Sequence, residues 1–399
     1  MNLQFPISDL QSPLLSGIVK NGDNYPQWSD NDMNDRERFH AIMSYEPCDR
    51  MPVYYFGLWD ETLLRWQQEG VADLGSVSAC TGMDPDWEAG MWETHDLVNI
   101  NLIAPQGEDE VIEDTPDYRV VRTSLGAVMQ VGKLGSSIPH YLEHALKPTR
   151  ESWQRFQHYL DPCDPARFPP DWQAKGAQFN QRDRVATFLA GSLFGWPRDW
   201  LGVEAISYLP YDDPILFEDI IAFLTDRLIT LYKPLLQQVH FDFAYIFEDC
   251  CSKTGPLLSP RTYESVYRRY YRKLVDFYHE MGVPFVMLDS DGKVDALLPL
   301  WLDSSIDIVF PIEVGTWKSD PVTFRKHYGK RLRMFGGVNK HVIPLGEAAI
   351  RAELEPLREL AAEGGYIPIP DHRIPPNCSL EQFKTYVRVF KEVFAHSVA

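Results

Sequence analysis

From residue 185 onward the sequence repeats one unit: a short apolar run, a polar or acidic loop, then an amphipathic helix. The runs occupy residues 185–189, 243–247, 284–288, 307–310, 332–335 and 366–369. Runs this short and apolar read as strands buried on both faces, the pattern of a parallel sheet covered by helices. The intervening helices announce their starts. Asp213 before Pro214, and Ser259 before Pro260, each pair a capping side chain with proline at the first helical position. Ser379 and Gln382 form a capping box that opens the last helix, and Gly282 stops the helix that begins at Pro260. Strand, loop and helix repeated in this way demand parallel strands joined by right-handed crossovers. An open doubly wound sheet and a closed barrel both meet that demand. No Gly-rich phosphate loop follows the first strand, so the dinucleotide-binding open sheet loses support. The expected fold is α/β, a single (β/α)₈ barrel of the TIM type.

Upstream, Asn34 and Glu37 form a capping box for a helix predicted to run to about Tyr45, and residues 52–56 read as a buried strand. Residues 1–33, rich in Ser, Asn, Asp and Pro, are expected to be a surface extension, with the barrel spanning 34–399. Residues 108–132 contain short β-rich runs with a turn at Gly126, and are predicted to be a β-meander inserted into the α/β body. Residues 134–183 are Pro- and Trp-rich, with a helical stretch near 150–160.

The formal net charge of −19 repels phosphate backbones and anionic lipid headgroups, which argues against nucleic-acid and membrane partners. The six cysteines form no C-x-x-C pair, and Cys250 and Cys251 are adjacent, so all read as reduced, packed thiols. With no basic-then-apolar leader and no apolar stretch of membrane-spanning length, the expected location is the cytoplasm.

In a barrel, catalytic groups come from the loops that follow the strands. Those loops are 191–200 (GSLFGWPRDW), Glu248 to Cys250, Asp289 to Gly292, Glu313, Gly336 to Lys340, and Asp371 to Arg373. Any one of these acids is equally well explained as a helix cap or turn former. Their concentration directly after apolar sequence points to a functional ring of carboxylates with one histidine. Trp196 and Trp200 are either an aromatic wall for a ligand or core residues. The tyrosine-rich segment around Tyr263, Tyr267, Tyr270 and Tyr271 is expected to be an outer face or a homodimer surface.

The segments N-D-R-E-R-F…Y-E-P-C-D-R-M-P-V at 34–53, E-D…S-K-T-G…L-S-P at 248–260, G-G-V-N at 336–339 and G-G-Y-I-P-I-P-D-H-R-I-P-P at 364–376 resemble the uroporphyrinogen-decarboxylase-like superfamily. The resemblance implies a (β/α)₈ barrel and either tetrapyrrole decarboxylation or zinc-dependent methyl exchange with corrinoids. The decarboxylases carry an R-Q-A-G-R-Y loop after the first strand to bind substrate carboxylates; here GLWDE at 57–61 stands in its place. Uroporphyrinogen itself is therefore not the expected substrate, although His372 matches the histidine of that family's late G-H-G-I motif. In the zinc methyltransferases an H-x-C-G motif and a later cysteine bind the metal. Asp289 to Gly292 occupies the first position, and His372 or Asp371 the second. Asp289, Asp291 and His372 would then hold a divalent metal, with zinc favoured over Mn²⁺ or Fe²⁺ and Glu248 as a fourth contact. The alternative is a metal-free site where the same groups act as acids, bases and acceptors.

The leading expectation is transfer of a methyl group from a small methylated substrate to a corrinoid. No D-x-H-x-x-G corrinoid motif occurs, so a partner protein would supply that cofactor. Glu248, Asp289, Asp291 and His372 are the expected catalytic groups; Trp196, Arg198, Asn339, Lys340 and Arg373 are the expected substrate contacts. The runner-up is a lyase decarboxylating a small carboxylated substrate, and the third reading is a non-catalytic ligand-binding barrel.

Overall fold

A computed structural model of the protein describes residues 33–88, 91, 94, 97–99, 108–133 and 139–395. The expected N-terminal extension therefore lies outside the described residues except for Met33. Each apolar run from 185 onward becomes a strand: β5 (Thr187–Leu189), β6 (Phe243–Phe247), β9 (Val286–Asp289), β10 (Ile308–Ile312), β11 (Arg333–Val338) and β12 (Tyr366–Pro370). They form one parallel sheet in the order β5-β6-β9-β10-β11-β12. Every residue of β9, β10 and β12 is buried, as strands covered on both faces require. The meander is an antiparallel sheet of β1 (Glu110–Asp114), β2 (Tyr118–Arg122), β3 (Val128–Gly132) and β4 (His140–Glu143). Its fourth strand falls beyond the segment expected from sequence. A small hairpin, β7 (Cys251–Ser252) with β8 (Gly255–Pro256), follows β6.

The helix starts are where the caps place them. Asn34 caps Asp35–Met43 with Glu37 completing the box, Asp213 caps Pro214–Leu236, and Ser379 with Gln382 caps Leu380–Val393. The first helix ends at Met43, two residues short of the expected end. Pro214–Leu236 buries Leu216, Ile220, Leu224, Leu228, Leu231 and Leu235, the three-and-four spacing of one helical face laid on the sheet. The tyrosine expectation is corrected: Tyr263, Tyr267 and Tyr271 are buried and stack on one another with ring centroids 5.4–6.2 Å apart, so that face points inward. Tyr270 is half-buried and bonds Glu218.

The sheet wraps around a shared interior. The Trp87 ring lies 5.4–6.1 Å from Phe243 and Tyr245 on β6, Phe310 on β10 and Phe335 on β11. Phe39, from the first helix, touches Phe243, Phe285 and Phe335. Residues 51–58 run buried beside β12, but among the described residues they join the sheet through a single bridge, Leu58 to Ile374. The strand expected at 52–56 is thus in place without a ladder. Pro52 has no N–H to give, the Val53 N–H donates to Asp84 Oδ2 at 2.8 Å, and the Tyr55 carbonyl accepts from Trp87 Nε1 at 3.0 Å. What the described residues establish is an α/β fold on six parallel strands. No described helix is long and apolar enough to cross a membrane.

Candidate active site

The carboxylates collect at the C-terminal ends of the parallel strands. Glu248 and Asp249 follow β6, Asp289 ends β9 with Asp291 two residues on, and Glu313 follows β10. Asn339 and Lys340 follow β11, and Asp371, His372 and Arg373 follow β12. Gly336 and Gly337, read from sequence as the opening of a loop, continue β11 to Val338.

Glu248 does not face this cluster. Its Oε1 accepts the Leu193 N–H at 2.8 Å, and Oε2 accepts Phe194 N–H at 2.8 Å, Gly195 N–H at 2.9 Å and the Ser192 hydroxyl at 2.8 Å. The Tyr271 hydroxyl donates to Oε1 as well. Burial raises its pKa, and these donors hold it back. The strand pleat explains the orientation. Tyr245 points inward to Asp289, so Glu248, three residues on, turns toward the helix Arg268–Glu280 that carries Tyr271. Glu248 therefore anchors the loop after β5, and the expectation of a catalytic or metal-binding role for it is corrected.

Asp249 stands in its stead. Its φ of 42° is left-handed, a conformation that Asp tolerates better than most residues. Arg198 Nη1 bonds both the Asp249 carbonyl at 2.5 Å and Oδ2 at 3.1 Å. Burial, opposed by Arg198 and reinforced by the charges of Asp291 and Asp199, pushes Asp249 up to about 7. Arg198 is only 1% exposed and also pairs with Asp199, so its expected role as a substrate contact becomes that of an internal ion pair. Asp289 is buried with the Tyr245 hydroxyl on Oδ2, and burial plus the Asp291 charge raise it well above the usual carboxylate range. Asp291 Oδ2 lies 3.3 Å from His372 Nε2. The His372 ring stacks on Trp59 at 5.7 Å and meets Phe56 edge-on at 5.3 Å.

Glu313 Oε2 accepts the Gly292 N–H at 2.9 Å; burial and the Asp291 charge push it up to about 8. Asp371 is wholly committed to backbone, accepting Val314 N–H at 3.0 Å, Gly315 N–H at 2.6 Å and Lys340 N–H at 3.1 Å. Asn339, expected to touch substrate, instead caps the turn Lys340–Leu345 through the His341 N–H at 3.0 Å. Arg373 lies over the Phe56 ring at 5.1 Å, close against Gly57, where an added Cβ would meet its guanidinium at 2.5 Å. Its charge moderates Glu88 and Asp86, which burial pushes up to about 7 and about 6. Trp196 is half-buried and stacks on the buried Trp200 at 6.5 Å.

The structure thus brings together Asp289, Asp291 and His372, adds Asp249 and Glu313, which the sequence placed in strand-end loops without a role of their own, and adds Glu88 and Tyr245, which sequence reasoning left out. Alternation along β6 was the signal for Asp249. For Glu88, no apolar run precedes it to mark a strand end.

A divalent metal does not fit this arrangement. Among the described residues no three His, Cys, Asp or Glu side chains form a ligand set. His372 Nδ1 accepts the Arg373 N–H at 2.8 Å, which leaves the proton of the neutral ring on Nε2, the nitrogen facing Asp291. A metal would need the lone pair there. The site expected on Asp289, Asp291 and His372, with Glu248 as fourth contact, is not assembled.

Open clefts lie elsewhere. One, lined by Asp276, His279, Asp307 and Arg331, sits at the opposite ends of the strands; another borders the helix Val203–Asp212. Neither gathers catalytic groups, so the buried carboxylate cluster is the candidate site.

Residues 201–393 match the family model for uroporphyrinogen decarboxylase. No curated protein matches the chain by sequence. Among solved structures, a methyltransferase from Methanosarcina mazei is similar over 90% of this chain and 99% of its own, with a TM-score of 0.56 and 16% identity. At that identity the likeness speaks for the fold.

Proposed function

We propose that this chain is a member of the uroporphyrinogen decarboxylase-like superfamily, whose family model matches residues 201–393, and an enzyme that moves a methyl group from a small methylated substrate to a corrinoid carried by a separate protein. The observation that carries this reading is a set of buried carboxyls at the strand ends, Asp249, Asp289 and Glu313, with the Tyr245 hydroxyl on Asp289; burial favours the protonated form of each. A closed (β/α)₈ barrel with residues 51–58 as its first strand is the matching architecture. A corrinoid bound at the site would supply a low-valent cobalt nucleophile for the methyl group, and the electrons of the broken bond would stay on the heteroatom. The chain's residues do the rest. Asp289 donates its proton to that departing heteroatom, and the Tyr245 hydroxyl on Oδ2 stabilises the carboxylate left behind. His372, clamped between Trp59 and Phe56, orients Asp291.

Decarboxylation is the weaker reading. A carboxylated substrate would meet a cluster of acids, where Arg198 is already committed to Asp249 and Asp199 and Arg373 lies close to Glu88. A ligand-binding barrel without chemistry leaves the electrostatic cost of gathering these acids unexplained.

The test is spectroscopic. Methylated amines, ethers and sulfides are offered with cob(I)alamin, and formation of methylcobalamin is followed with the native enzyme and with Asp289→Asn. Turnover that falls about 10²–10⁴-fold in the variant supports the reading. No methylation from any donor class defeats it, and carbon dioxide release from a small carboxylic acid would favour the lyase.

A further inference from the structure

Asp291 and its loop are held from two sides. His372 Nε2 meets Asp291 Oδ2 at 3.3 Å, and Glu313 Oε2 accepts the N–H of the next residue, Gly292, at 2.9 Å. The two holders follow different strands, His372 after β12 and Glu313 after β10. One buried carboxylate joins them. Asp371 immediately precedes His372, and its own N–H donates to the Val338 carbonyl on β11 at 2.7 Å. Its side chain then reaches back across the neighbouring strand ends. Oδ2 accepts the N–H groups of Val314 at 3.0 Å and Gly315 at 2.6 Å, the two residues after Glu313, and Oδ1 accepts that of Lys340 at 3.1 Å, after β11. Three donors from two loops converge on one side chain, and an ionised carboxyl, which only accepts, can take them all. Gly315 permits the approach: an added Cβ would stand 2.5 Å from Asn339 Oδ1 and 3.1 Å from Asp371 Oδ2. A reacting group keeps its place only when the residues that hold it are themselves locked, and here both holders are locked at the same point.

We infer that Asp371 is a positioning residue of the site: by clasping the loops after β10 and β11 it sets Glu313 and His372, and through them the place of Asp291. The inference rests on the methyl-transfer reading only for the reaction in which the place of Asp291 is felt. Asp371 itself touches no reacting atom.

Hydrogen exchange on the full chain, read by mass spectrometry, tests this without substrate or corrinoid. Asp371→Asn turns an amide N–H toward one of the three donors, so exchange should rise about tenfold or more in segments 313–320 and 339–345. It should rise also in segment 289–293, which Asp371 does not touch, and stay native in 243–247. Gly315→Ala, which strains the clasp from the loop's side and keeps the carboxylate, should loosen the same three segments; it carries the test if Asp371→Asn fails to fold. In the methylcobalamin assay, Asp371→Asn should lower kcat per folded molecule about 10²-fold with KM nearly unchanged. Added to His372→Ala, it should lower kcat far less than it does alone. The inference is overturned if segment 289–293 exchanges as in the native protein in both variants, or if kcat per folded molecule is unchanged. Because exchange is read apart from turnover, a chain that loosens as expected but methylates cobalamin from no donor would defeat the methyl-transfer reading while leaving the clasp standing.

Discussion

A carboxylate sealed from water persists only where donors converge on it, and Glu248 accepts from three backbone N–H groups, Ser192 and Tyr271. Removing one of those donors tests how much each matters. Tyr271→Phe should lower stability by about 1–3 kcal/mol, seen as a lower urea midpoint with an unchanged slope. Glu248→Gln should cost more, because its amide turns donors toward donors. A Tyr271→Phe variant as stable as the native protein would mean that Glu248 is satisfied without the tyrosine. At this scale the sequence was half legible. The adjacent acids Glu248 and Asp249 look alike, and only the period of two along β6 separates them. Tyr245 supplies the phase, since its hydroxyl reaches Asp289 across the interior. The tyrosines at 263, 267 and 271 misled for a related reason: hydroxyl-bearing rings suggest a wet face, but Tyr263 and Tyr271 find buried partners in Ser304 and Glu248.

Among the elements, β11 depends most on residues that ordinarily break strands. Gly336 has φ +115°, and a Cβ there would stand 2.4 Å from the Ile312 nitrogen on β10. The register of the two strands shifts between Val309 and Ile312, beside this contact. Gly336→Ala therefore meets both a left-handed conformation and a backbone clash, and should destabilise the protein by about 3 kcal/mol or more. Thermal unfolding checks this; a variant melting with the native protein would show that β10 gives way freely. The six apolar runs were legible because burial on both faces leaves no room for polar residues. The glycine pair was not, since close approach between strands depends on a neighbour remote in sequence. Residues 51–58 evaded a ladder because Asp84 and Trp87 take their backbone groups instead.

For the molecule as a whole, the buried acids set the direction in which stability depends on pH. Asp86, Glu88, Asp249 and Glu313 are pushed to about 6, 7, 7 and 8 in the folded chain, chiefly by burial, against ordinary values near 4 when unfolded. Below about pH 4 both states hold these protons, and the contribution to stability is fully present. As pH rises from about 4 to about 8 the unfolded chain releases protons that the folded chain keeps, so stability falls across that window. Asp242 works the other way. Burial raises its pKa, but bonds from His40 and Arg36 and the charge of Arg182 outweigh that and bring it down to about 2. Its contribution is present above about pH 4 and is lost as pH falls toward 2. The two limbs place maximum stability on the acid side of neutrality. Urea midpoints measured from pH 4 to 9 should decline through the upper half of that range, and Glu313→Gln should flatten the decline. A native curve level between pH 5 and 8 would mean that these acids ionise in the folded state, and the proton donors invoked for the reaction would be absent with them.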